Sequence, residues 1–256
     1  MVVLLDAGNS RFKWTRLCGE LLSDILNQGY DSQHRAQAVA AALEVSGTPR
    51  RIVVASVLGD DFKEEFTRII QVRFGFKPEF VVSKRLGYGI RVGYIKPHEF
   101  GADRFAALVA ARRNFEQPCI VVDCGTAVTI DALTASGEHL GGLILPGLDL
   151  MRRSLFEHTT RINVVFQDGN DHLFGKSTLQ GVSGGIWRAL VGAIDQIVQE
   201  MTFYITEHYG ESPINYLMTG GAGVYVLPRL AANYHLEPGL VLHGLAIIAQ
   251  KLSLRS

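Results

Sequence analysis

The sequence predicts an α/β protein made of two similar halves, and two observations support this prediction. Short apolar runs typical of buried strands alternate along the chain with stretches that repeat apolar residues at helical spacing. In addition, an N-terminal strand that ends at Asp6 in the pattern Asp-x-Gly has a second copy near mid-chain, ending at Asp123. Repetition at half the chain length indicates two halves that each open with a β-hairpin. We place the boundary near Glu116, which divides the chain into residues 1–116 and 117–256.

The first hairpin gathers acidic, small and basic residues on one turn. Val2–Leu5 form a continuous apolar run, and Gly8 and Asn9 tolerate the positive φ angles of a tight turn. A carboxylate, free backbone N–H groups, a hydroxyl and a lysine are the groups that hold a metal–polyphosphate. An ordinary hairpin with an Asx-type turn explains the same residues. Because the second half carries a similar turn, we expect both turns to line a cleft between the halves, where ligands preferentially bind.

The rest of the first half is predicted to contain strands, helices and one long irregular segment. Strands are predicted at residues 20–30, 51–55 and 79–82, and helices at residues 33–45, 60–75 and 105–114. Residues 86–100, rich in glycine, are predicted to be irregular, and long segments of this kind tend to be functional or mobile. Asp103 falls in the first turn of the last helix, where the helix dipole alone would favour a carboxylate. Arg104 beside it has no obvious packing reason.

The second half is predicted to follow the same plan. After the Asp123 hairpin, strands are predicted at residues 139–147 and 216–218, and helices at residues 148–156, 177–207 (one helix or two) and 241–252. Residues 161–174 are polar and predicted to form a loop. The glycine-rich segment Thr219–Gly223 follows a strand, so its backbone can approach a ligand such as a nucleotide base or ribose closely.

Composition limits the classes of function. Lys plus Arg and Asp plus Glu each number 25 in the 256 residues. This balance argues against binding to nucleic acid or to a membrane surface through bulk charge. The three cysteines lack the spacing of metal-binding motifs. We expect them to be small buried residues in a reducing compartment. The chain shows neither a signal-peptide pattern nor an apolar run of membrane-spanning length, so we expect a cytoplasmic protein.

Two further short motifs resemble known sites, but the residues around them do not form the structure that those sites require. Gly181–Gly185 match the hydrolase pattern G-x-S-x-G, followed by Asp195, His208 and His243. That motif requires a preceding strand, whereas the residues before it are polar and those after it continue a helix. Gly175–Ser177 resemble the end of a P-loop, but the glycine spacing is wrong and no strand leads in. The histidines show no local zinc-binding spacing.

Four motifs in a fixed order carry a resemblance to a known family. They are D-x-G-N-S-x-x-K at residues 6–13, G-x-D-R at 101–104, D-x-G-T-A at 123–127 and T-x₆-G at 178–185. The ordered set resembles the type III pantothenate kinases, members of the acetate kinase/sugar kinase/Hsp70/actin superfamily. The resemblance implies two ribonuclease-H-like (actin-like ATPase) halves with an inter-domain cleft, and a homodimer. It also implies phosphorylation of pantothenate by ATP as the first step of coenzyme A synthesis, with Mg²⁺ accompanying ATP and a monovalent cation, K⁺ or NH₄⁺.

The resemblance also assigns roles to individual residues. It implies that Asp103 is the catalytic proton acceptor and that Asp123 is the ligand of the monovalent cation. The implied ATP-binding residues are Asp6, Ala7, Gly8, Asn9, Ser10, Arg11, Phe12, Lys13 and Thr126. The implied pantothenate-binding residues are Tyr94, Gly101, Ala102, Asp103, Arg104 and Thr178.

A non-catalytic regulator on the same scaffold is the alternative function. Some relatives are known as Bvg accessory factors, which are associated with transcription. Neutral net charge argues against direct contact with DNA. A scaffold that had lost catalysis would lack Asp103 or the Asp6 turn, and both are present in this chain.

Overall fold

The chain forms two compact units. The computed structural model describes residues 1–30, 34–45, 47–157 and 172–253. The first unit comprises Met1–Asn114, Gly137–His139 and the segment from Gly239 onward, and the second comprises Phe115–Ser136 and Leu140–Pro238. The C-terminal helix therefore groups with the first unit, because it packs on a helix and three strands of that unit. The sequence-based boundary near Glu116 stays a prediction, and most of the predicted loop at residues 161–174 lies outside the described residues.

The elements alternate between strands and helices, as an α/β chain requires. In chain order the strands are β1 (Val2–Ala7), β2 (Arg11–Cys18), β3 (Leu21–Leu22), β4 (Leu26–Gly29), β5 (Arg51–Ser56), β6 (Glu79–Phe80), β7 (Leu86–Gly87), β8 (Ile90–Arg91), β9 (Cys119–Cys124), β10 (Ala127–Leu133), β11 (His139–Pro146), β12 (Asn215–Thr219) and β13 (Tyr234–Leu236). The α-helices are α1 (Arg35–Val45), α2 (Asp60–Phe74), α3 (Ala102–Asn114), α4 (Leu148–Glu157), α5 (Thr178–Tyr209), α6 (Gly223–Val226) and α7 (Leu240–Ser253).

The first unit is a mixed sheet covered on both faces. Its strand order is β3-β2-β1-β5-β6, with β4 also paired to β2. The central strands β1 and β5 are parallel and almost continuously apolar, as expected for strands buried on both sides. One face packs on α1 and α2. The other packs on α3 and α7, which approach so closely that a Cβ atom on Gly244 would come within 1.8 Å of the Ala106 carbonyl oxygen.

The second unit repeats this plan. Its strand order is β11-β10-β9-β12-β13. The hairpin β9–β10 is antiparallel and β12 runs parallel to β9, just as β2 and β5 flank β1 in the first unit. Helix α5 covers one face with an apolar stripe that includes Trp187, Leu190 and Ile194. Two halves that each open with a β-hairpin are therefore confirmed.

The structure corrects several sequence-based boundaries. The predicted third strand at residues 20–30 is two short strands, β3 and β4, and the segment predicted to be irregular contains the hairpin β7–β8. Strand β13 was not predicted, because it is only three residues long. The segment predicted as one or two helices is the single helix α5, and it contains Gly181–Gly185. A hydrolase elbow is therefore excluded, since that turn must follow a strand. Among the described helices, none combines the length and apolar character needed to cross a membrane.

Candidate active site

The turn of the first hairpin displays the polar residues that the sequence predicts to bind ATP. Asp6 on β1 is the cross-strand partner of Lys13 on β2, so a carboxylate and an ammonium group lie on the same face. The N–H group of Gly8 donates to the carbonyl oxygen of Arg11 at 3.2 Å and closes the turn. Asn9 and Ser10 at its tip are exposed. The turn thus presents backbone and polar side chains to solvent.

Two of the predicted ATP-binding residues point into the core instead. The side chains of Ala7 and Phe12 are fully buried, and the ring of Phe12 stacks on Trp14 with centroids 5.0 Å apart. These side chains anchor the turn to the sheet, so only their backbone groups are available to a ligand. Arg11, by contrast, is exposed.

The turn of the second hairpin has the same construction. Asp123 is next to last in β9, as Asp6 is in β1, and the N–H group of Gly125 donates to the carbonyl oxygen of Ala127 at 3.0 Å. Asp123 is paired with Thr129 on β10 and with Thr219 on β12. The carboxylate therefore lies at the end of a central strand, where the sheets of α/β proteins commonly bind ligands.

Two glycines pack their backbones against this second turn. A Cβ atom on Gly220, whose φ is 88°, would lie 2.4 Å from Oδ1 of Asp123. A Cβ atom on Gly147 would lie 2.5 Å from the carbonyl oxygen of Thr126, which accepts a hydrogen bond from the Gly147 N–H group at 3.1 Å. Any side chain at either position would displace the turn, so the surroundings of Asp123 and Thr126 depend on glycine.

The environment of Asp123 also affects its neighbour. Burial, and secondarily the charge of Asp123, raise the pKa of the Cys124 thiol to about 12. Cys124 therefore stays a neutral thiol at physiological pH, and its S–H group donates to the sulfur of Met218 at 3.5 Å. Within the described residues, no group of three or more His, Cys, Asp or Glu side chains is arranged to hold a metal ion.

A third group of polar residues forms at the N-terminus of α3. The structure begins this helix at Ala102, so Asp103 lies in its first turn, as predicted. The Oδ1 atom of Asp103 accepts a hydrogen bond from the N–H group of Arg104 at 2.7 Å. Gly101 leaves room for this arrangement, because a Cβ atom there would lie 2.6 Å from the same oxygen. The carboxylate is partly exposed, whereas Ala102 is buried.

Arg104 is an unusual buried arginine. Only 7% of its surface is exposed, and its Nη1 atom donates to the hydroxyl oxygen of Tyr94 at 2.8 Å. The guanidinium carbon lies 4.8 Å from the ring centroid of Phe100 and 5.6 Å from that of Tyr94. The structure thus brings Tyr94, Gly101, Ala102, Asp103 and Arg104 together, and it does so through aromatic stacking that the sequence did not reveal.

Three residues that the sequence analysis missed support this group. The side chain of Arg85 donates to the carbonyl oxygens of Val92 at 3.1 Å and of Tyr94 and Ile95 at 2.6 Å. These bonds hold the backbone that carries Tyr94. The hydroxyl of Ser83 donates to the carbonyl oxygen of Phe100 at 2.8 Å.

His139, the third missed residue, lies against the same aromatic rings. Its side chain is fully buried, with its ring centroid 4.6 Å from that of Phe100 and 6.0 Å from that of Tyr94. Sequence offers no signal for this contact, since His139 is distant along the chain from the rings it meets.

Thr178 belongs to the second unit and begins α5. Ser177 caps this helix, and its Oγ accepts a hydrogen bond from the N–H group of Gln180 at 3.2 Å. Thr178 itself is exposed. Its predicted contact with pantothenate stays a prediction, as do the roles of the other assigned residues.

The chain is similar in sequence to proteins of one family. Residues 2–200 match the family model for type III pantothenate kinase. A curated relative with that name, from Nitrosococcus oceani, is 36% identical over 258 residues, covering 99% of this chain and 95% of the relative.

Solved structures show the same fold at low sequence identity. A chain from Campylobacter jejuni, described as a candidate transcriptional activator of the Baf family, gives a TM-score of 0.61 at 20% identity and covers 98% of this chain and 99% of its own. An inorganic polyphosphate/ATP-glucomannokinase from Arthrobacter sp. gives 0.51 at 16% identity, covering 100% and 99%. These structures establish the fold alone: an α/β protein of the two-domain, ribonuclease-H-like class. The family model and the 36% identical relative, which matches this chain over nearly the full length of both, show that the chain belongs to the type III pantothenate kinase family.

Proposed function

We propose that this chain transfers the γ-phosphoryl group of ATP to the primary hydroxyl of pantothenate and that Asp103 accepts the hydroxyl proton. Family membership makes the activity ATP-dependent phosphorylation of pantothenate, which yields 4'-phosphopantothenate in the first step of coenzyme A biosynthesis. The observation that carries the residue assignment is that the Asp103 carboxylate accepts a hydrogen bond from the backbone N–H group of the next residue, Arg104, whose side chain is buried. Asp103 can accept a proton from a hydroxyl, and the Arg104 guanidinium can bind a carboxylate. Pantothenate carries both a hydroxyl and a carboxylate.

Asp103 suits the role of proton acceptor. Phosphoryl transfer passes through a loose transition state, so the base takes the proton late and the protein mainly positions the reactants. The N-terminus of α3 and the N–H group of Arg104 both favour a negative charge on this carboxylate. Its partial exposure leaves it accessible to a substrate hydroxyl.

Arg104 suits the recognition of the pantothenate carboxylate. A guanidinium group binds a carboxylate through two parallel hydrogen bonds. Tyr94 and Phe100 hold the guanidinium in place before substrate arrives, so little side-chain entropy is lost on binding. Gly101 and Ala102 complete this part of the proposed site, and Thr178 is proposed as a further pantothenate contact.

The turn of residues 6–13 is proposed to hold the phosphates of ATP. The N–H groups of the turn bind phosphate oxygens, Lys13 neutralises their charge, and Asp6 orients Mg²⁺ or its water ligands. When bound with ATP, Mg²⁺ supplies charge neutralisation on the transferred group. The cross-strand pairing of Asp6 with Lys13 supports this proposal, as does the exposure of Asn9 and Ser10. Thr126 is proposed as a further ATP contact.

Asp123 is proposed to bind a monovalent cation, K⁺ or NH₄⁺. Hard cations prefer oxygen ligands, and the position that a Cβ atom on Gly220 would occupy lies 2.4 Å from Oδ1 of Asp123 and 2.5 Å from the carbonyl oxygen of Cys124. The residues therefore fit a cation that takes carboxylate and carbonyl oxygens. We further propose a cytoplasmic homodimer that binds neither nucleic acid nor membrane, consistent with the balanced charge of the sequence.

A coupled assay of ADP release tests this function against the regulator alternative. We expect ADP release that depends on pantothenate, an equal amount of 4'-phosphopantothenate by mass spectrometry, and higher rates in K⁺ or NH₄⁺ than in Na⁺ buffer. The variant Asp123→Asn should lose the K⁺ stimulation. An ordered wild-type protein without pantothenate-dependent turnover in any of these buffers would support a regulator. Equal rates in Na⁺ and K⁺ would remove the cation role from Asp123.

A further inference from the structure

Tyr30 contacts the turn of the first hairpin at two backbone positions. It follows β4, which is paired with β2, and its N–H group donates to the carbonyl oxygen of Ser10 at 3.4 Å. Its side-chain hydroxyl reaches over the turn and donates to the carbonyl oxygen of Gly8. One residue outside the D-x-G-N-S motif therefore bonds the carbonyl groups on both sides of Asn9.

The ring of Tyr30 is itself held in place. It stacks on Phe12 with ring centroids 5.4 Å apart and an angle of 15° between the planes. The guanidinium of Arg35 lies 5.6 Å from the ring centroid. Because Phe12 is fully buried, this stack fixes the ring to the core of the first unit. The hydroxyl therefore reaches Gly8 from a rigid support and not from a mobile side chain.

The direction of the side-chain hydrogen bond is unambiguous. A carbonyl oxygen only accepts, so the Tyr30 hydroxyl donates. Burial, opposed by Arg35 and aided by the charge of Asp6, raises the pKa of Tyr30 to about 12. The phenol therefore keeps its proton, and the bond persists, across the whole pH range in which a kinase is assayed.

This bond determines where the next N–H group points. In a planar trans peptide the C=O and N–H groups point in opposite directions. A Gly8 carbonyl turned toward Tyr30 directs the N–H group of Asn9 away from it. If the Gly8–Asn9 peptide rotated, a carbonyl oxygen would take the place of that N–H group and would repel phosphate oxygens.

We infer that Tyr30 is a positioning residue for ATP, because its hydroxyl holds the Gly8–Asn9 peptide with the Asn9 N–H group available to a phosphate oxygen. This inference rests on the proposed role of residues 6–13 in binding ATP. Tyr30 lies outside the four motifs that define the family resemblance, and the inferred role requires no direct contact between Tyr30 and ATP. It acts only through the orientation of one peptide bond.

The variant Tyr30→Phe removes the hydroxyl and keeps the ring that stacks on Phe12. We expect the Kd and KM for ATP to rise about five- to tenfold, the effect of one lost hydrogen bond. The KM for pantothenate should stay within about twofold of the wild-type value, and thermal unfolding should shift by only a few degrees. This split between the two substrates distinguishes positioning from a general loss of stability.

Two further variants make the result decisive. Tyr216→Phe removes a tyrosine hydroxyl that lies 3.1 Å from Oγ1 of Thr202 in the second unit, and it should leave the KM for ATP unchanged. Lys13→Ala tests the turn itself and should weaken ATP binding strongly. If Lys13→Ala weakens ATP binding while Tyr30→Phe does not, the inference about Tyr30 is overturned. If Lys13→Ala also leaves ATP binding intact, the proposed role of the turn fails instead.

The amide proton of Asn9 provides a direct spectroscopic readout. In wild-type protein, its NMR resonance should move downfield when a non-hydrolysable ATP analogue binds. In Tyr30→Phe that movement should be reduced. If Tyr30→Phe does not fold, the titration of the wild-type protein tests the inference. An Asn9 amide resonance whose chemical shift does not change when the nucleotide analogue is added would contradict it.

Discussion

Gly220 approaches Asp123 so closely that a Cβ atom on Gly220 would lie 2.4 Å from Oδ1 of the Asp123 carboxylate. The same atom would lie 2.4 Å from the carbonyl carbon of Cys124. Gly220 also has a φ angle of 88°, which side chains rarely adopt. Two independent constraints thus require glycine beside the acidic turn of the second unit, and they couple the position of Asp123 to the loop after β12.

The variant Gly220→Ala is expected to disturb the Asp123 turn. The methyl group cannot be accommodated without moving the carboxylate or the backbone of β9, so we expect at least a tenfold loss of kcat (about 1.4 kcal/mol) and a weaker response to K⁺. Steady-state kinetics over a K⁺ titration measure both effects. Gly75→Ala is a matched control, since Gly75 has a φ angle of 79° and a Cβ atom added there would meet nothing within 4 Å. It should lower stability through backbone strain and leave the K⁺ response intact.

The variant Arg85→Lys is expected to weaken pantothenate binding. Lysine keeps the charge but lacks the planar fork that reaches the carbonyl oxygens of Val92, Tyr94 and Ile95. A less rigid segment holds Tyr94 less firmly against the guanidinium of Arg104, so the KM for pantothenate should rise about tenfold. The KM for ATP should not change. Lys84→Gln at the exposed neighbouring position is the control, and an equal rise in that variant would contradict the positioning role of Arg85.

The stability of the protein is expected to fall at alkaline pH because of Cys124. Its folded-state pKa is raised from 9.0 to about 12, mainly by burial. The folded protein therefore keeps a proton that the unfolded chain loses, so the stabilisation is complete below pH 9 and declines as pH rises toward 12. The free energy of unfolding in urea should therefore begin to drop near pH 9 and continue to drop as pH rises toward 12. The variant Cys124→Ala should flatten this drop.

Cys18 offers a control for the alkaline experiment. This cysteine is exposed, so Cys18→Ala should leave the pH dependence of unfolding as it is in the wild-type protein. A wild-type free energy of unfolding that stays constant over that pH interval would contradict the burial of the Cys124 thiol. Tyr30 and Tyr234, whose pKa values are also raised by burial, start from a higher ordinary value and contribute later in the titration.

Much of the fold could be predicted from the sequence because its two hairpins are local. Apolar runs such as Val2–Leu5 define central strands without reference to the rest of the chain. The pattern of a strand followed by Asp-x-Gly occurs at Asp6 and again at Asp123, and this repetition indicates two units of the same construction. The grouping of α7 with the first unit could not be predicted, because it depends on the close contact between Gly244 and Ala106, which lie far apart in sequence.

The residues of the candidate site could be proposed from the sequence only where they lie in or near short motifs. The motif that contains Asp103 and Arg104 can be recognised in the sequence because a predicted helix begins there. Arg85, His139 and Tyr30 were missed because they act on backbone carbonyl groups or aromatic rings that only the folded chain brings near them. Contacts to backbone carbonyls leave no pattern in side-chain identity, so no motif encodes them.

The kinetics of Asp103→Asn most directly test the central claim, that the carboxylate at the start of α3 accepts the proton of the pantothenate hydroxyl. Asparagine preserves the size of the side chain but cannot take up a proton. We expect kcat to fall at least about a hundredfold, with ATP and pantothenate binding by calorimetry and thermal unfolding close to wild type. Asp61→Asn, in the first turn of α2, should have no effect on kcat. Near-normal turnover by a folded Asp103→Asn protein would contradict the claim.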